Sequence, residues 1–99
     1  MILHTVSFRL VSAPGSPEEA DFIDTARSTL SAIPGVRDFT VSRQISPKST
    51  HTHQFSMAFA DAEAYRAYDA HPAHRAFVAE RWVPEVADFQ ELDLVAIPG

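Results

Sequence analysis

The stretch SPEEADFIDTARSTLSAIPG, residues 16–35, contains the signals that fix the first helix and, with it, the order of the elements. Ser16 at the N-cap, Pro17 at the first helical position and Glu19 three residues after the cap form a capping box. The apolar residues of the stretch recur at helical spacing, at Phe22, Ile23, Ala26, Leu30 and Ile33. A Pro-Gly pair ends it, so the sequence predicts one amphipathic helix that packs against a sheet.

Segments with alternating apolar and polar residues lie on both sides of this helix and predict four β-strands. They cover residues 2–10, 36–45, 53–60 and 89–97. In the first strand, one face carries Ile2, His4, Val6, Phe8 and Leu10. In the last strand, the expected core side carries Leu92, Leu94 and Ala96.

A second helical region lies between the third and fourth strands. Asp61 is a typical N-cap for a helix over residues 62–70, and His71 before Pro72 predicts a break. Pro72 can begin a further helix that ends at about Trp82. The order β-α-β-β-α(α)-β predicts an α+β, ferredoxin-like protomer, with a four-stranded antiparallel sheet and helices on one face.

Length and composition narrow the class of protein. The chain has 99 residues, of which 45% are hydrophobic and 21% are charged, and we expect a single globular domain over residues 1–99. The 13 acidic and 8 basic residues give a net charge of −5, which argues against a nucleic-acid partner. No apolar run has the length of a membrane span and no secretion signal is present, so we expect a cytoplasmic protein without a membrane partner. The absence of cysteine excludes disulfides, thiolate zinc sites and cysteine nucleophiles.

The small size of the chain favours a partner. A domain of this length buries only about 60–65% of its unfolded surface, so a further interface would stabilise it. The strand faces that point away from the helices are semi-polar and broad, and they include Thr5, Ser7, Thr40 and Ser42. A second copy of the chain could cover this face, which predicts a homodimer.

Several segments resemble the stress-responsive A/B barrel family, also called the Dabb or dimeric α/β-barrel family. They are LHTVSFRL at residues 3–10, IPGV at residues 33–36, YDAHPAH at residues 68–74 with the following Phe77-Val78, and Asp93 in the last strand. The YxxHPxH run is the most specific of them. The resemblance implies a ferredoxin-like protomer that dimerises through its sheets into an α/β barrel with the helices outside.

Within this family the chain resembles polyketide cyclases of the olivetolic acid cyclase type, which close a linear polyketide by an intramolecular aldol reaction. The resemblance implies that Tyr68 and His74 act on the substrate, and that His4 and His53 lie near the pocket. The other residues expected to bind the substrate, between helices and sheet, are Val6, Phe22, Phe55 and Leu94.

The residue types at positions 68 and 74 suit this chemistry. An aldol cyclisation needs a base that removes a proton next to a carbonyl group, and a hydrogen-bond donor for the resulting enolate. Histidine suits the first role near neutral pH and a tyrosine hydroxyl suits the second, so His74 is the candidate base and Tyr68 the candidate donor. The alternative is that Tyr68 packs on the sheet and His74 caps or binds backbone.

The position of the pocket relative to His4 and His53 follows from strand pairing. The first and third strands are expected to be antiparallel neighbours, and each histidine lies near the start of its strand. In an in-register pairing the two residues would therefore lie near opposite ends of the strand pair, roughly 20 Å apart. The second helix starts where the third strand ends and runs back, so we expect Tyr68 and His74 to lie nearer to His53.

No cofactor and no catalytic metal are predicted, while a structural cation at the dimer interface stays open because it would leave little trace in the sequence. His51 and His53 alternate on a strand and point to opposite faces, and Pro72 places His71 at an N-cap rather than on one helix with His74. The chain also contains no asparagine. This counts against the related dimeric-barrel monooxygenases, since these usually have one in the pocket.

The sequence leaves two hypotheses open. The first is a small dimeric, cofactor-free cyclase or related lyase that acts on a small, largely apolar carbonyl compound through Tyr68 and His74. The second is a non-catalytic stress-response or ligand-binding protein whose histidines are structural.

Overall fold

The computed structural model describes residues 1–99 and contains one four-stranded sheet with helices packed on one face. The elements are β1 (Ile2–Leu10), α1 (Pro17–Leu30), β2 (Arg37–Arg43), β3 (His53–Phe59), α2 (Ala62–Ala70), α3 (Pro72–Phe77), a π-helical turn (Val78–Trp82), α4 (Val83–Glu85) and β4 (Val86–Leu94). The strand order is β2-β3-β1-β4, and every neighbouring pair is antiparallel. The predicted α+β, ferredoxin-like fold is confirmed. None of the helices is both long and apolar enough to cross a lipid bilayer.

The predicted capping residues begin both of the longer helices. Ser16 Oγ accepts a hydrogen bond from the Glu19 N–H at 3.2 Å. The Glu19 carboxylate in turn accepts from the Gly15 N–H at 3.3 Å, one residue further back than in a standard capping box. In α2, Asp61 Oδ1 accepts from the Ala64 N–H at 2.9 Å. These side chains satisfy backbone donors that a helix start leaves unpaired, and the predicted starts are confirmed.

The helical region after α2 is less regular than predicted. α3 continues at Val78 into a π-helical turn that ends at Trp82, so the predicted helix to about Trp82 is present but is not α-helical throughout. A π turn adds a residue to the helical repeat and changes the direction of the side chains that follow. Arg81 of this turn donates to Asp21 at 2.7 Å and to Thr25 at 3.0 Å, which ties the segment to α1.

The fourth strand differs from the prediction in both position and face. It begins at Val86, three residues earlier than expected. Its pairing with β1 places Leu92 opposite Thr5 and Leu94 opposite Leu3. Because directly paired residues share a face, Leu92 and Leu94 point away from the helices and are 53% and 48% exposed. The prediction that they lie on the core side is wrong, since alternation does not reveal which face the helices cover.

The core between sheet and helices is largely aromatic. Phe8 of β1 is fully buried, and its ring centroid lies 4.7 Å from that of Phe55 and 5.1 Å from that of Trp82. Phe22 of α1 lies 5.9 Å from Phe8 and 5.6 Å from Phe77 of α3. One aromatic cluster therefore joins the two central strands to α1, α3 and the π-helical turn.

Candidate functional site

A cavity of about 470 Å³ lies between the sheet and the helical layer. Of the 14 residues that line it, 11 are hydrophobic, and the other three are His4, His74 and Glu91. This volume and this mostly apolar lining with a few polar groups are typical of small-molecule binding sites. The cavity is the candidate functional site.

Tyr68 and His74 meet at the wall of this cavity, with their ring centroids 4.5 Å apart. They lie six positions apart in the sequence, on opposite sides of the break between α2 and α3. His71 makes the break: its N–H donates to the Tyr68 carbonyl, and its Nδ1 accepts from the Ala73 N–H at 3.0 Å. The prediction that His71 caps the helix at Pro72 is confirmed, and this bend brings Tyr68 and His74 together.

The hydrogen bonding of His74 defines its basic nitrogen. Nδ1 lies 3.2 Å from the Asp69 carbonyl oxygen, which can only accept, so Nδ1 carries the proton and Nε2 keeps a free lone pair. Burial lowers the pKa of His74, against the opposing effects of the Asp69 carbonyl and the charges of Asp69 and Glu91. The imidazole is therefore neutral at pH 7 and can accept a proton at Nε2.

The Tyr68 hydroxyl is a free donor at the same wall. Burial, with smaller contributions from the negative charges of Asp69 and Glu91, raises the pKa of Tyr68 far above neutrality, so the hydroxyl stays protonated. The hydroxyl has no hydrogen-bond partner within the chain. Every fully buried side-chain polar atom does have a partner, so the Tyr68 Oη is not fully buried. Because Tyr68 lines the cavity and its unpaired Oη is not fully buried, we take the hydroxyl as the donor for a bound molecule.

His4 of β1 is a second histidine of the cavity, and a polar cluster fixes its orientation. His4 Nδ1 lies 2.6 Å from Asp93 Oδ1 and 2.7 Å from Tyr65 Oη, while the Tyr65 hydroxyl donates to the Asp93 carboxylate at 2.9 and 3.0 Å. A carboxylate only accepts, so His4 Nδ1 carries the proton and Nε2 is its free nitrogen. The sequence-based reading missed Tyr65, although its position one helical turn before Tyr68 places both on one face of α2.

His53 lies outside the cavity, and the expectation that Tyr68 and His74 would approach it is wrong. His53 pairs with Phe8, four positions along β1 from His4, which separates the two histidines by about 13 Å. Its ring stacks on Phe8 at 5.5 Å, and its Nε2 lies 3.8 Å from Glu19 Oε2. Tyr68 still contacts Phe59 at the end of β3, with ring centroids 5.1 Å apart. α2 therefore does not carry Tyr68 back to the start of β3.

The remaining predicted binding residues divide into two groups. Val6 and Phe55 line the cavity. Phe22 does not line it and packs against Phe8 and Phe77 in the aromatic core instead. Leu94 does not line it because it lies on the opposite face of the sheet. No group of three or more His, Asp or Glu side chains converges closely enough to hold a metal ion.

Acid should destabilise the protein partly through His53. Burial lowers the pKa of His53, against the charge of Glu19, so the folded state binds this proton less readily than the unfolded state, whose histidine pKa is about 6.5. The stability contribution is therefore complete above about pH 6.5 and is lost as the pH falls. We expect urea denaturation to show lower stability at pH 5 than at pH 7.5, and a smaller difference in His53→Phe. Equal pH dependence in both proteins would contradict this assignment.

The sheet order, the helices on one face and the partly closed cavity define a ferredoxin-like α+β protein with a ligand-sized site between its layers. A family model described as Stress responsive A/B Barrel Domain (Dabb) matches residues 2–96. The chain belongs to this stress-responsive A/B barrel family. A search of curated proteins found no match.

Solved structures share this fold over almost the whole chain. A Dabb family protein with a ferredoxin-like fold from Mesorhizobium loti is 52% identical, with a TM-score of 0.97 over 98% of this chain and 97% of that one. Hydroxynitrile lyase from Passiflora edulis is 14% identical, with a TM-score of 0.84 over 99% and 94%. A dimeric ferredoxin-like protein of unknown function from Thermobifida fusca is 22% identical, with a TM-score of 0.77 over 96% and 90%. The last two similarities concern the fold alone.

Proposed function

We propose that the protein is a cofactor-free enzyme of the cyclase or lyase class that acts on a small, largely apolar carbonyl compound by aldol-type chemistry. The observation that carries this proposal is the meeting of Tyr68 and His74 at the wall of an apolar cavity, with a neutral imidazole beside a free hydroxyl donor.

The proton transfers follow from the protonation states of the two side chains. His74 Nε2 removes a proton from the carbon next to the carbonyl group. The electron pair of that C–H bond forms the C=C bond of the enolate, and the π pair of the carbonyl group moves to its oxygen. Tyr68 Oη donates a hydrogen bond to the enolate oxygen that forms. The enolate carbon then attacks a second carbonyl carbon of the same molecule, and the new alkoxide takes the proton back from His74. His4, held by Asp93 and Tyr65, orients the substrate through its free Nε2.

The fold and the cavity lining support this chemistry. An apolar, partly closed cavity limits water around the enolate and strengthens the hydrogen bond from Tyr68. Among proteins of the same fold, one is named a hydroxynitrile lyase, so the fold carries a lyase activity in at least one protein.

Proton removal can be tested without knowledge of the natural substrate. Phenylacetone in D₂O exchanges the protons next to its carbonyl group for deuterium, and proton NMR measures the rate. We expect the wild-type protein to accelerate this exchange above the rate in imidazole buffer of equal concentration. Binding of phenylacetone without acceleration would favour the alternative, a ligand-binding protein whose histidines are structural.

We also propose that the protein is a homodimer in which the outer faces of the two sheets pack together to form the α/β barrel. Leu3, Leu92 and Leu94 are neighbours on that face and remain 41–53% exposed in the single chain. An apolar cluster of this kind is typical of an interface. The protein from Thermobifida fusca that shares the fold is described as dimeric.

A charge in this cluster should separate the subunits. Leu92→Glu would bury a carboxylate in each half of the interface, which is expected to raise the dimer Kd by about thirtyfold or more, or about 2 kcal/mol. Size-exclusion chromatography with light scattering at several concentrations measures the change. Ala20→Glu, on the exposed side of α1, is the matched control and should remain dimeric. A Leu92→Glu protein as dimeric as this control would refute the proposed interface.

A further inference from the structure

Glu91 is an acidic side chain in the cavity that the proposed chemistry does not use. It lies on β4 directly opposite Val6 of β1, so both side chains face the helices, and both line the cavity. It is the only carboxylate among the lining residues, and they include no lysine or arginine. None of the five close contacts between a basic and an acidic side chain involves it.

The charge of Glu91 reaches the groups at the cavity wall. Burial is the main cause of the raised pKa of Tyr68 and of Tyr65 on the neighbouring helical turn, and the negative charge of Glu91 adds to both. Asp69 acts on both tyrosines in the same direction, and Asp93 adds to the effect on Tyr65. The charged groups that act on these two hydroxyls are thus all carboxylates.

We propose that Glu91 determines the charge of the molecules that the cavity accepts: it admits neutral carbonyl compounds and rejects those that carry a carboxylate. This inference rests on the proposed function, because it takes the cavity as the substrate site. The substrates are therefore ketones, aldehydes, esters or thioesters rather than free acids.

The cavity rejects a ligand carboxylate because nothing in its lining replaces the hydration that the carboxylate loses on entry. A carboxylate that enters an apolar cavity loses its hydration, and this cost is recovered only where a cation or several hydrogen-bond donors replace the water. The lining contains no lysine or arginine, and it already holds the carboxylate of Glu91. A neutral carbonyl group avoids this repulsion and still accepts the hydrogen bond from Tyr68.

A pair of isosteric ligands isolates the charge. Phenylacetate has a negatively charged oxygen where phenylacetone has a methyl group, and the two are otherwise identical. Both have an aromatic ring that suits the aromatic lining. Isothermal titration at pH 8 is the measurement, since phenylacetate is fully ionised there. We expect the wild-type protein to bind phenylacetone at least about tenfold more tightly than phenylacetate.

Glu91→Gln should reduce this preference about five- to tenfold, mainly through tighter binding of phenylacetate, because the partly exposed site screens the charge in part. Glu80→Gln is the matched control. It removes the same charge from the exposed side of the π-helical turn, outside the cavity, and should leave the preference within about twofold of the wild type.

The outcomes separate this inference from the proposed function. A preference unchanged in Glu91→Gln, or changed equally in Glu80→Gln, would overturn the role of Glu91. If the wild-type protein binds phenylacetate as tightly as phenylacetone, or binds neither, the inference also fails. Selective binding that Glu91→Gln relaxes, in a protein that does not accelerate deuterium exchange, would confirm the selectivity and refute the catalysis.

Discussion

His74→Gln is expected to reduce protein-catalysed deuterium exchange into phenylacetone by about 10²–10⁴-fold, the usual contribution of a general base. The glutamine amide can still donate to the Asp69 carbonyl, but it has no basic nitrogen near neutral pH. His74 is half-buried and its one hydrogen bond is to that carbonyl. The free energy of unfolding should therefore change little, and urea denaturation checks that the variant is folded.

The pH dependence of exchange gives an independent test of the same base. Because burial lowers the pKa of His74, the neutral form persists below the ordinary histidine range. The exchange rate should fall as the pH is lowered through that pKa, with a midpoint below about 6.5. A midpoint above this value would indicate that another group removes the proton.

Two matched variants complete the test. His71→Asn keeps a side-chain acceptor at the N-cap before Pro72, and position 71 does not line the cavity, so exchange should remain at the wild-type rate. Tyr68→Phe keeps the aromatic packing and removes only the donor. It should slow exchange while leaving the fold intact. If His74→Gln exchanges as fast as His71→Asn, His74 is not the base.

The parts of the fold that local chemistry determines could be predicted from the sequence. Ser16 and Asp61 begin their helices because a short oxygen-bearing side chain at the N-cap satisfies backbone donors within the next turn. His71-Pro72 breaks the second helical region for an equally local reason. In both cases all interacting groups lie within a few residues, so no knowledge of the distant chain is needed.

The errors concern features that distant parts of the chain determine. The period of β4 is visible in its sequence, but only pairing with β1 shows that Asp93 and Glu91 face the helices while Leu92 and Leu94 face outwards. Leu92 and Leu94 share one face of the alternating pattern, and the pattern alone does not show whether that face is covered by helices or by a second chain. Here their face is the proposed dimer interface.

The candidate site divides in the same way, into a local part that the sequence predicts and a long-range part that it does not. Tyr68 and His74 belong to one short motif and meet through a local bend. The cluster of His4, Tyr65 and Asp93 joins three elements that lie up to 89 positions apart, and its geometry depends on how α2 packs over β1 and β4. The choice between His4 and His53 as a neighbour of Tyr68 depends on that same packing, and their strand positions alone could not decide it.

Phe8→Ala is expected to lower the free energy of unfolding by about 3–5 kcal/mol, which is the range for a fully buried phenylalanine. The Phe8 ring contacts Phe55 and Trp82, and His53 stacks on it, so its removal leaves a void at the centre of the aromatic cluster. A loss of this size is a large part of the total stability of a small domain. Urea denaturation at one fixed protein concentration measures it, because dimer formation would make stability depend on concentration.

Phe89→Ala is the matched control, because it removes the same side chain from the cavity wall instead of the core. Phe89 is 51% exposed, and its ring contacts Trp82 at 5.5 Å. Its removal enlarges an existing cavity rather than creating a new one, so the expected loss is below about 1.5 kcal/mol. Losses of similar size in the two variants would show that Phe8 does not organise the core. A loss confined to Phe8→Ala would show that the cavity wall can be altered without endangering the fold, so that substitutions there report on binding and catalysis.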